Sequence, residues 1–181
     1  MIALTSSRLQ LIPLDHSLLK IWRQAGREAV EQELNLQPNN ISLEKFYTQE
    51  MEDALVNYWL PMTHKFPLDF MWYTNWEIIL TASSCSIGGI GLSGLPDNQG
   101  TTEMGYALDQ KFRCHGYASE AVETLARWAF QDADLQIIRA ETPCENVASQ
   151  RVLQVNQFIQ TGQKSIECPD PLEVFMWERR R

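Results

Sequence analysis

The chain has 181 residues, a mass of 20.9 kDa, a formal net charge of −8 at pH 7 and an isoelectric point near 4.9. Its composition, 44% hydrophobic and 21% charged, is typical of a soluble globular protein, and its length suits one domain over residues 1–181. There is no basic excess to displace phosphate counterions, which argues against general affinity for nucleic acid or for an anionic membrane.

Targeting, membrane and metal-site patterns are absent from the sequence. The first ten residues, MIALTSSRLQ, lack a basic stretch followed by an apolar one, and no apolar run approaches the length of a membrane span. The four cysteines include no C-x-x-C pair, and the three histidines have no zinc-site spacing. These cysteines are Cys85, Cys114, Cys144 and Cys168. We therefore expect a cytoplasmic protein with reduced thiols, no metal, and no membrane or nucleic-acid partner.

The first half of the chain predicts one strand, two helices and an irregular connection. Residues Ser7 to Leu14 alternate in polarity and predict a strand. Asp15 follows as the N-cap of a helix over residues 17–34, and a second helix begins after Ser42. The aromatic-rich stretch 57–75 predicts an irregular segment that either lines a substrate cleft or covers the core.

The second half predicts strands followed by alternating strands and helices, the pattern of one mixed α/β domain. Three strands with short turn-rich breaks form an antiparallel meander, at Trp76–Ala82, Ile87–Leu95 and Thr101–Leu108. A helix with a clean apolar stripe begins at Ala118. The remaining elements are a strand at Ile137–Glu141, a helix opening near Asn146, and strands around Phe158 and Val174–Trp177.

The segment Glu103 to Ala121 carries the clearest chemical signal. It predicts a strand, a short polar loop, and a helix that opens just after Gly116. The first N–H groups of a helix have no intrahelical partner and bind phosphate, and Gly116 and Ala118 leave room for an anion to approach. Hydrogen-bond donors flank this loop at Lys111, Arg113 and His115. A glycine-containing loop before an ordinary helix explains the same residues, and local physics leaves both interpretations open.

A family resemblance decides between them. Residues 113–118, RCHGYA, match the R/Q-x-x-G-x-G/A pyrophosphate loop of the GNAT acetyltransferases. With EMGY at 103–106 and ASEA at 118–121, the segment resembles the RimJ/RimL-type branch, which acetylates protein N-termini. Residues 146–153, NVASQRVL, resemble that branch's N-x-A-S-x-R-V-L helix start. One departure is Gln157, which stands where the family usually has glycine before a phenylalanine.

The resemblance implies a fold and a cosubstrate. The fold is α/β (α+β), with a mixed, mostly antiparallel central sheet splayed between strands 4 and 5 and helices on both faces. Acetyl-CoA would lie in the splay, with Tyr106, Ala107 and Leu108 beside its pantetheine arm. Its pyrophosphate would contact Arg113, Cys114, His115, Gly116, Tyr117 and Ala118. Asn146 would bond the pantetheine amides, a role compatible with capping the following helix.

The resemblance also implies direct acetyl transfer to a primary amine. Glu103 is the expected base, acting through water, against the alternative of an exposed strand glutamate. Ser149 is the expected cofactor contact and the donor to the leaving thiolate, against a first-turn helix serine. Cys114 occupies a variable position of the loop pattern, so no covalent acetyl-cysteine is expected. The acceptor, a protein N-terminus or a small amine, stays open, as does the choice between monomer and homodimer.

Two other functions compete with this interpretation. A noncatalytic acyl-CoA-binding or regulatory module of the same fold would be expected to lose Glu103 and Ser149, and both are present. A nucleotide-binding protein would need a P-loop Lys-Ser/Thr after the glycine, which the loop lacks. Residues 89–94 also satisfy G-x-G-x-x-G, but a turn and another strand follow instead of a helix, so we predict a glycine-containing strand there.

Overall fold

The computed structural model describes residues 2–167 and 171–181, so Cys168 lies outside the described residues. The strands are β1 Leu4–Thr5, β2 Leu9–Pro13, β3 Asn75–Leu80, β4 Cys85–Leu92, β5 Thr101–Leu108, β6 Ile137–Pro143, β7 Ile159–Ile166 and β8 Leu172–Arg180. The α-helices are α1 His16–Ala25, α2 Arg27–Glu33, α3 Lys45–Ala54, α4 Leu60–Lys65, α5 Tyr117–Ala129 and α6 Val147–Val155. A π-helical turn, Leu55–Trp59, joins α3 to α4, and 3₁₀ turns occur at Phe70–Trp72 and Gln110–Phe112.

All eight strands form one sheet in the order β1-β2-β3-β4-β5-β6-β8-β7. Neighbouring strands are antiparallel except β5 and β6, which are parallel. Pairing between these two is confined to Thr101–Glu103 against Ile137–Arg139, so the rest of each strand is open towards the other. Counting from Leu9–Pro13, they are the fourth and fifth strands, and the expected splay is confirmed.

Helices cover both faces of the sheet, as expected. Trp76 on β3 packs against Trp128 of α5, with ring centroids 5.1 Å apart. The next residue, Glu77, forms an ion pair with Arg27 of α2. Because successive strand residues point to opposite faces, α5 and α2 lie on opposite sides. Apolar residues of α5, such as Leu125, complete the larger core cluster on the first face.

The prediction of one continuous helix over residues 17–34 is wrong, because the structure has two helices there. Gly26 has φ +85° and separates α1 from α2, a conformation that glycine adopts without a Cβ penalty. The predicted N-cap is confirmed, because the Asp15 carboxylate accepts a hydrogen bond from the Leu18 N–H at 2.9 Å. The helical apolar stripe continues across the break, which is why the periodicity alone predicts a single helix.

The predicted irregular connection over residues 57–75 is wrong in its first part, which is helical. The Leu60 N–H donates to the Leu55 carbonyl five residues back, and Pro61 follows with no N–H to donate. The π turn thus changes the hydrogen-bond spacing where proline would otherwise interrupt a ladder. Trp59 and Leu60 pack against a second core cluster that includes Leu14, and this tertiary packing overrides the proline signal.

The turn after α6 keeps its shape although glycine is replaced. Gln157 has φ +64°, the left-handed conformation that favours glycine. Its N–H donates to the Gln154 carbonyl, and the Phe158 N–H donates to the Leu153 carbonyl. These two bonds form a Schellman motif, and buried Phe158 anchors it in the core. The sequence departure therefore leaves the path into β7 unchanged.

Candidate active site

A cavity of about 420 Å³ opens where β5 and β6 separate. Small residues on neighbouring strands line its sheet side: Gly89, Gly91, Gly105 and Ala107. Gly89 pairs with Ala107 and Gly91 with Gly105 across β4 and β5, so the floor of the cavity is largely bare backbone. Residues of α3 and the π turn form a second, aromatic-rich wall: Phe46, Tyr47, Glu50, Met51, Ala54, Tyr58 and Trp59.

Helix α3 has no fully buried residue, and polar contacts tie it to the splayed part of the sheet. At its N-cap, the Glu44 carboxylate accepts two bonds from the Arg113 guanidinium, at 2.5 and 2.8 Å. One turn further, the Tyr47 hydroxyl accepts a bond from Asn146 Nδ2 at 2.9 Å. Burial raises the pKa of Tyr47, so this hydroxyl stays protonated at neutral pH. These contacts hold α3 beside the cavity, and sequence patterns gave no sign of them.

Three carboxylates line the cavity, on three different elements. Glu50 lies on α3, Glu103 on β5 and Glu141 on β6. Burial raises the pKa of Glu50. Glu141 pairs with Lys164 at 2.5 Å, whereas Glu103 forms no ion pair with any residue in the two described ranges. Glu103 is thus an exposed carboxylate that lines the cavity, and Lys164, which pairs with Glu141, is near enough to interact with its charge without forming an ion pair with it.

Ser149 and Tyr106 meet at the cavity wall. Tyr106 Oη lies 2.8 Å from Ser149 Oγ and 3.2 Å from the Ser149 carbonyl oxygen. Both residues line the cavity. Burial raises the pKa of Tyr106 to about 12, so its phenol is a hydrogen-bond donor at neutral pH. When Tyr106 donates to the Ser149 oxygen, the Ser149 proton is available to a third group.

Asn146 caps α6, as the structural alternative predicted. Its Oδ1 accepts a hydrogen bond from the Ser149 N–H at 3.0 Å, while its Nδ2 donates to Tyr47. Asn146 thereby fixes the first turn of α6 and links it to α3. This contact also sets the position of Ser149.

The predicted pyrophosphate loop lies beyond the C-terminal end of β5 and does not line the cavity. Gly116, with φ +82°, is the N-cap of α5 and makes no side-chain cap hydrogen bond, so the N–H groups of the first turn are left for a ligand or solvent. Cys114 and His115 are exposed, and Cys114 has φ +62°. Ala118 packs at the edge of the core, as does Tyr117. Leu108 is buried in the core, and its carbonyl accepts from Arg113 of the loop.

Arg8 completes the surroundings of this loop, and no sequence motif marked it. Its guanidinium pairs with Glu120 at 2.7 Å and donates to the His115 carbonyl at 3.0 Å. It also lies 4.6 Å above the centre of the Tyr117 ring. Burial opposes ionisation of Glu120, but hydrogen bonds from Ser6, Arg8 and Ser7 lower its pKa to about 2. These contacts fix the turn between β1 and β2 to the start of α5.

A family model described as an acetyltransferase (GNAT) domain matches residues 22–159, more than half of the chain. The chain belongs to the GNAT acetyltransferase family. Among curated proteins it is similar to the uncharacterized N-acetyltransferase YjdG of Bacillus subtilis (strain 168), with 32% identity over 87 residues. That match covers 48% of this chain and 52% of the relative, so the chain spans about half the length of the curated relatives it matches.

Solved structures share the GNAT fold over nearly the whole chain. The RimL ribosomal L7/L12 α-N-protein acetyltransferase in complex with coenzyme A superposes with a TM-score of 0.69 at 18% identity, covering 99% of this chain and 98% of that one. The ribosomal-protein-S5-alanine acetyltransferase of Vibrio fischeri gives 0.67 at 17% identity, covering 99% and 97%. At these identities the likeness shows the fold.

Two further observations concern the described part of this GNAT chain. Within residues 2–167 and 171–181, no group of three histidine, cysteine, aspartate or glutamate side chains could hold a metal ion. No helix in those ranges has the length and apolarity needed to cross a bilayer.

Proposed function

We propose that this protein is an N-acetyltransferase that transfers an acetyl group from acetyl-CoA directly to a primary amine. The observation that carries the proposal is the open wedge between β5 and β6, with the uncapped N-terminus of α5 at one end and a carboxylate-lined cavity at the other. The family assignment supports the same chemistry. We also propose that residues 1–181 form one domain, because the sheet includes strands from both ends of the chain.

The residues of the wedge fit acetyl-CoA. The first-turn N–H groups of α5 and the loop Arg113–Ala118 would hold its pyrophosphate, since such groups bind anions. Tyr106 and Ala107, on the part of β5 that does not pair with β6, would lie beside the pantetheine arm, with Leu108 in the core behind them. When bound, acetyl-CoA supplies an activated thioester carbonyl.

Glu103 is positioned to take a proton from the acceptor amine through water. An α-amino group has a pKa near ~8 and an aliphatic amine near ~10, so at neutral pH the acceptor is mostly charged and cannot attack. A cavity carboxylate that forms no ion pair among the described residues favours entry of the cation and can then accept its proton. The exposure of Glu103 gives water access to this carboxylate.

Ser149 is positioned to donate a hydrogen bond to the sulfur that leaves. A thiol, with a pKa of about 8–9, is a stronger acid than a serine hydroxyl, so Ser149 stabilises the thiolate as a donor and does not need to lose its proton. Tyr106 orients Ser149 by donating to its oxygen. Asn146 caps the first turn of α6, where Ser149 lies. One Nδ2 N–H of Asn146 binds Tyr47, and the second is available to the pantetheine.

The acceptor we propose is an α-amino terminus or a small cationic amine. Glu50 and Glu103, the two cavity carboxylates that form no ion pair among the described residues, favour a positively charged substrate. The names of structural neighbours point to protein N-termini, including an α-N-protein acetyltransferase. In line with the cysteine pattern, we propose a cytoplasmic enzyme with reduced thiols, and we leave open whether it is monomeric or homodimeric.

An amine panel assayed by release of free coenzyme A tests this function. The panel contains N-terminal peptides, polyamines, amino sugars and amino-acid derivatives, and we expect release to require both acetyl-CoA and one class of amine. Saturating acetyl-CoA should also raise the melting temperature, since a ligand at about 100 times its Kd stabilises a fold by roughly 2.7 kcal/mol. A noncatalytic module would show the thermal shift without any release.

A matched pair of variants at Gly116 tests whether the loop before α5 binds an anion. Gly116→Asp places a carboxylate at the anion site and should abolish the thermal shift, while Gly116→Asn adds nearly the same volume without charge and should retain more of it. Asn and Asp both tolerate positive φ, and the new Cβ would meet only Arg8 Nη2 at 3.5 Å, so both variants should fold. Equal loss in the two variants would contradict an anion site at α5.

A further inference from the structure

Asn75, the first residue of β3, is a buried polar side chain at the edge of the cavity. It is only 3% exposed and lines the cavity wall. Its Nδ2 donates a hydrogen bond to Glu77 Oε1 at 3.1 Å. Because an ionised carboxylate accepts hydrogen bonds and cannot donate them, this contact fixes the orientation of the amide, with the nitrogen towards Glu77 and Oδ1 directed away from it.

The Oδ1 atom of Asn75 lies over the bare floor of the cavity. A Cβ added to Gly89 would be 2.3 Å from this oxygen, and Gly89 itself lines the cavity. None of the residues in the ranges 2–167 and 171–181 donates a hydrogen bond to Asn75 Oδ1. A carbonyl oxygen is a strong acceptor, so this one is available to a group that enters the cavity.

Buried groups beneath the sheet hold this amide in place. Glu77 is 1% exposed and pairs with the Arg27 guanidinium at 2.5 Å, and it also accepts from the Ser86 hydroxyl. If the Asn75 amide turned over, its oxygen would face the Glu77 carboxylate and the hydrogen bond would be lost. The Arg27–Glu77 pair therefore presets Asn75 Oδ1 as an acceptor directed away from the carboxylate.

We propose that Asn75 binds the acceptor substrate, with Oδ1 accepting a hydrogen bond from an N–H of the primary amine, and that Glu77 and Arg27 are positioning residues for it. This inference rests on the proposed N-acetyltransferase function. A primary amine has N–H donors to spare, and the cavity carboxylates Glu50 and Glu103 can accept others. A neutral oxygen orients the nitrogen but stabilises its charged form less than a carboxylate would, so it opposes deprotonation less.

Steady-state kinetics of Asn75→Ala test the proposal, with Asn156→Ala as the matched control. Asn156 is also buried, at 4% exposure, but its Nδ2 caps the end of α6 by donating to the Val152 carbonyl, away from the cavity. Loss of one hydrogen bond to the amine should raise the KM for the acceptor about tenfold to a hundredfold in Asn75→Ala. The KM for acetyl-CoA and the thermal shift it induces should not change, and the control should leave both KM values unchanged.

A second variant keeps the test valid if Asn75→Ala does not fold. Gly89→Ala leaves Asn75 in the sequence but puts a methyl group where Oδ1 now lies, so the amide oxygen must move. It should raise the acceptor KM in the same direction, again without change in the KM for acetyl-CoA. Both variants are compared with wild type on the best amine of the panel.

The outcomes separate this inference from the proposed function. A wild-type protein that binds acetyl-CoA but acetylates no amine overturns the proposed function, and the acceptor role with it. An active wild type with an unchanged acceptor KM in folded Asn75→Ala, or in Gly89→Ala where that variant is needed, overturns only the role of Asn75. A parallel rise in the KM for acetyl-CoA also overturns it, because the side chain would then support the whole cleft.

Discussion

The phenol oxygen of Tyr106 on β5 and the hydroxyl oxygen of Ser149 on α6 lie 2.8 Å apart. The contact joins one arm of the splayed sheet to the helix that follows the other arm. Burial raises the pKa of Tyr106 to about 12, so the phenol keeps its proton at neutral pH, and when it donates to Ser149 Oγ the Ser149 proton is free for a sulfur in the wedge. This geometry makes Ser149 a donor whose direction is set by a second hydroxyl.

Replacing Ser149 by alanine removes the donor to the leaving group. A hydrogen bond to a charged group contributes about 1.5–3 kcal/mol, so kcat should fall roughly tenfold to a hundredfold. Affinity for acetyl-CoA, measured by calorimetry, should change little. Tyr106→Phe should give a smaller loss, because Ser149 keeps its hydroxyl and loses only its orientation. Ser165→Ala, at an exposed serine of β7, is the control and should leave kcat unchanged.

Glu103→Gln should lower turnover mostly at neutral pH. A general base is typically worth ~10²–10⁴-fold when the acceptor enters as an ammonium, and the benefit shrinks as rising pH deprotonates the amine unaided. The loss should therefore diminish between about pH 7 and pH 10, measured as kcat/KM across a pH series. A loss that is equal at every pH would assign Glu103 to binding, and no loss would remove it from the mechanism.

Glu120 should make the fold sensitive to acid. Its folded-state pKa is lowered from 4.5 to about 2, so its contribution to stability is present above the unfolded pKa and is lost as pH falls through 4.5 towards 2. A shift of this size corresponds to at most about 3 kcal/mol in the free energy of unfolding. Urea titrations of wild type and Glu120→Gln should therefore differ most near neutral pH and converge at low pH. A constant difference down to pH ~2 would contradict the assignment.

Gln157→Gly should stabilise the protein. Gln157 has φ +64° in the turn that ends α6, and the left-handed conformation costs a residue with a Cβ about 1 kcal/mol. The greater flexibility of glycine in the unfolded chain offsets part of the gain, so we expect an increase of about 0.5–1 kcal/mol in the free energy of unfolding. Gln154→Gly, in the last turn of α6 with helical backbone, is the contrasting control and should destabilise.

The parts of the fold with strong local patterns were predictable. The strand Thr101–Leu108 is confirmed to the residue, and the helix predicted from Ala118 begins at Tyr117. The helix start after Gly116 followed from a motif that depends on backbone N–H groups at a helix terminus, which is a local property. The break at Gly26 was missed because the apolar stripe continues across it, and the π turn after Ala54 was missed because Pro61 predicts an irregular segment where tertiary packing keeps a helix.

The contacts that shape the candidate site were not predictable from the sequence. Tyr47 lies 99 residues before Asn146, and only the folded chain brings the two side chains together. Arg8 lies more than 100 residues before the Glu120 carboxylate that it pairs with. Such pairs depend on sheet register and helix placement, which a single sequence does not encode in any local period.

The most direct test of acetyl transfer uses acetyl-CoA labelled in its acetyl group and the best amine of the panel, with mass spectrometry of the amine. The account predicts that the label appears as an N-acetyl group on the primary amine, in amounts equal to the free coenzyme A released, and that no label is retained on Cys114 or any other residue. Release of coenzyme A without labelled amine, or label accumulating on the protein, would contradict direct transfer between the two substrates.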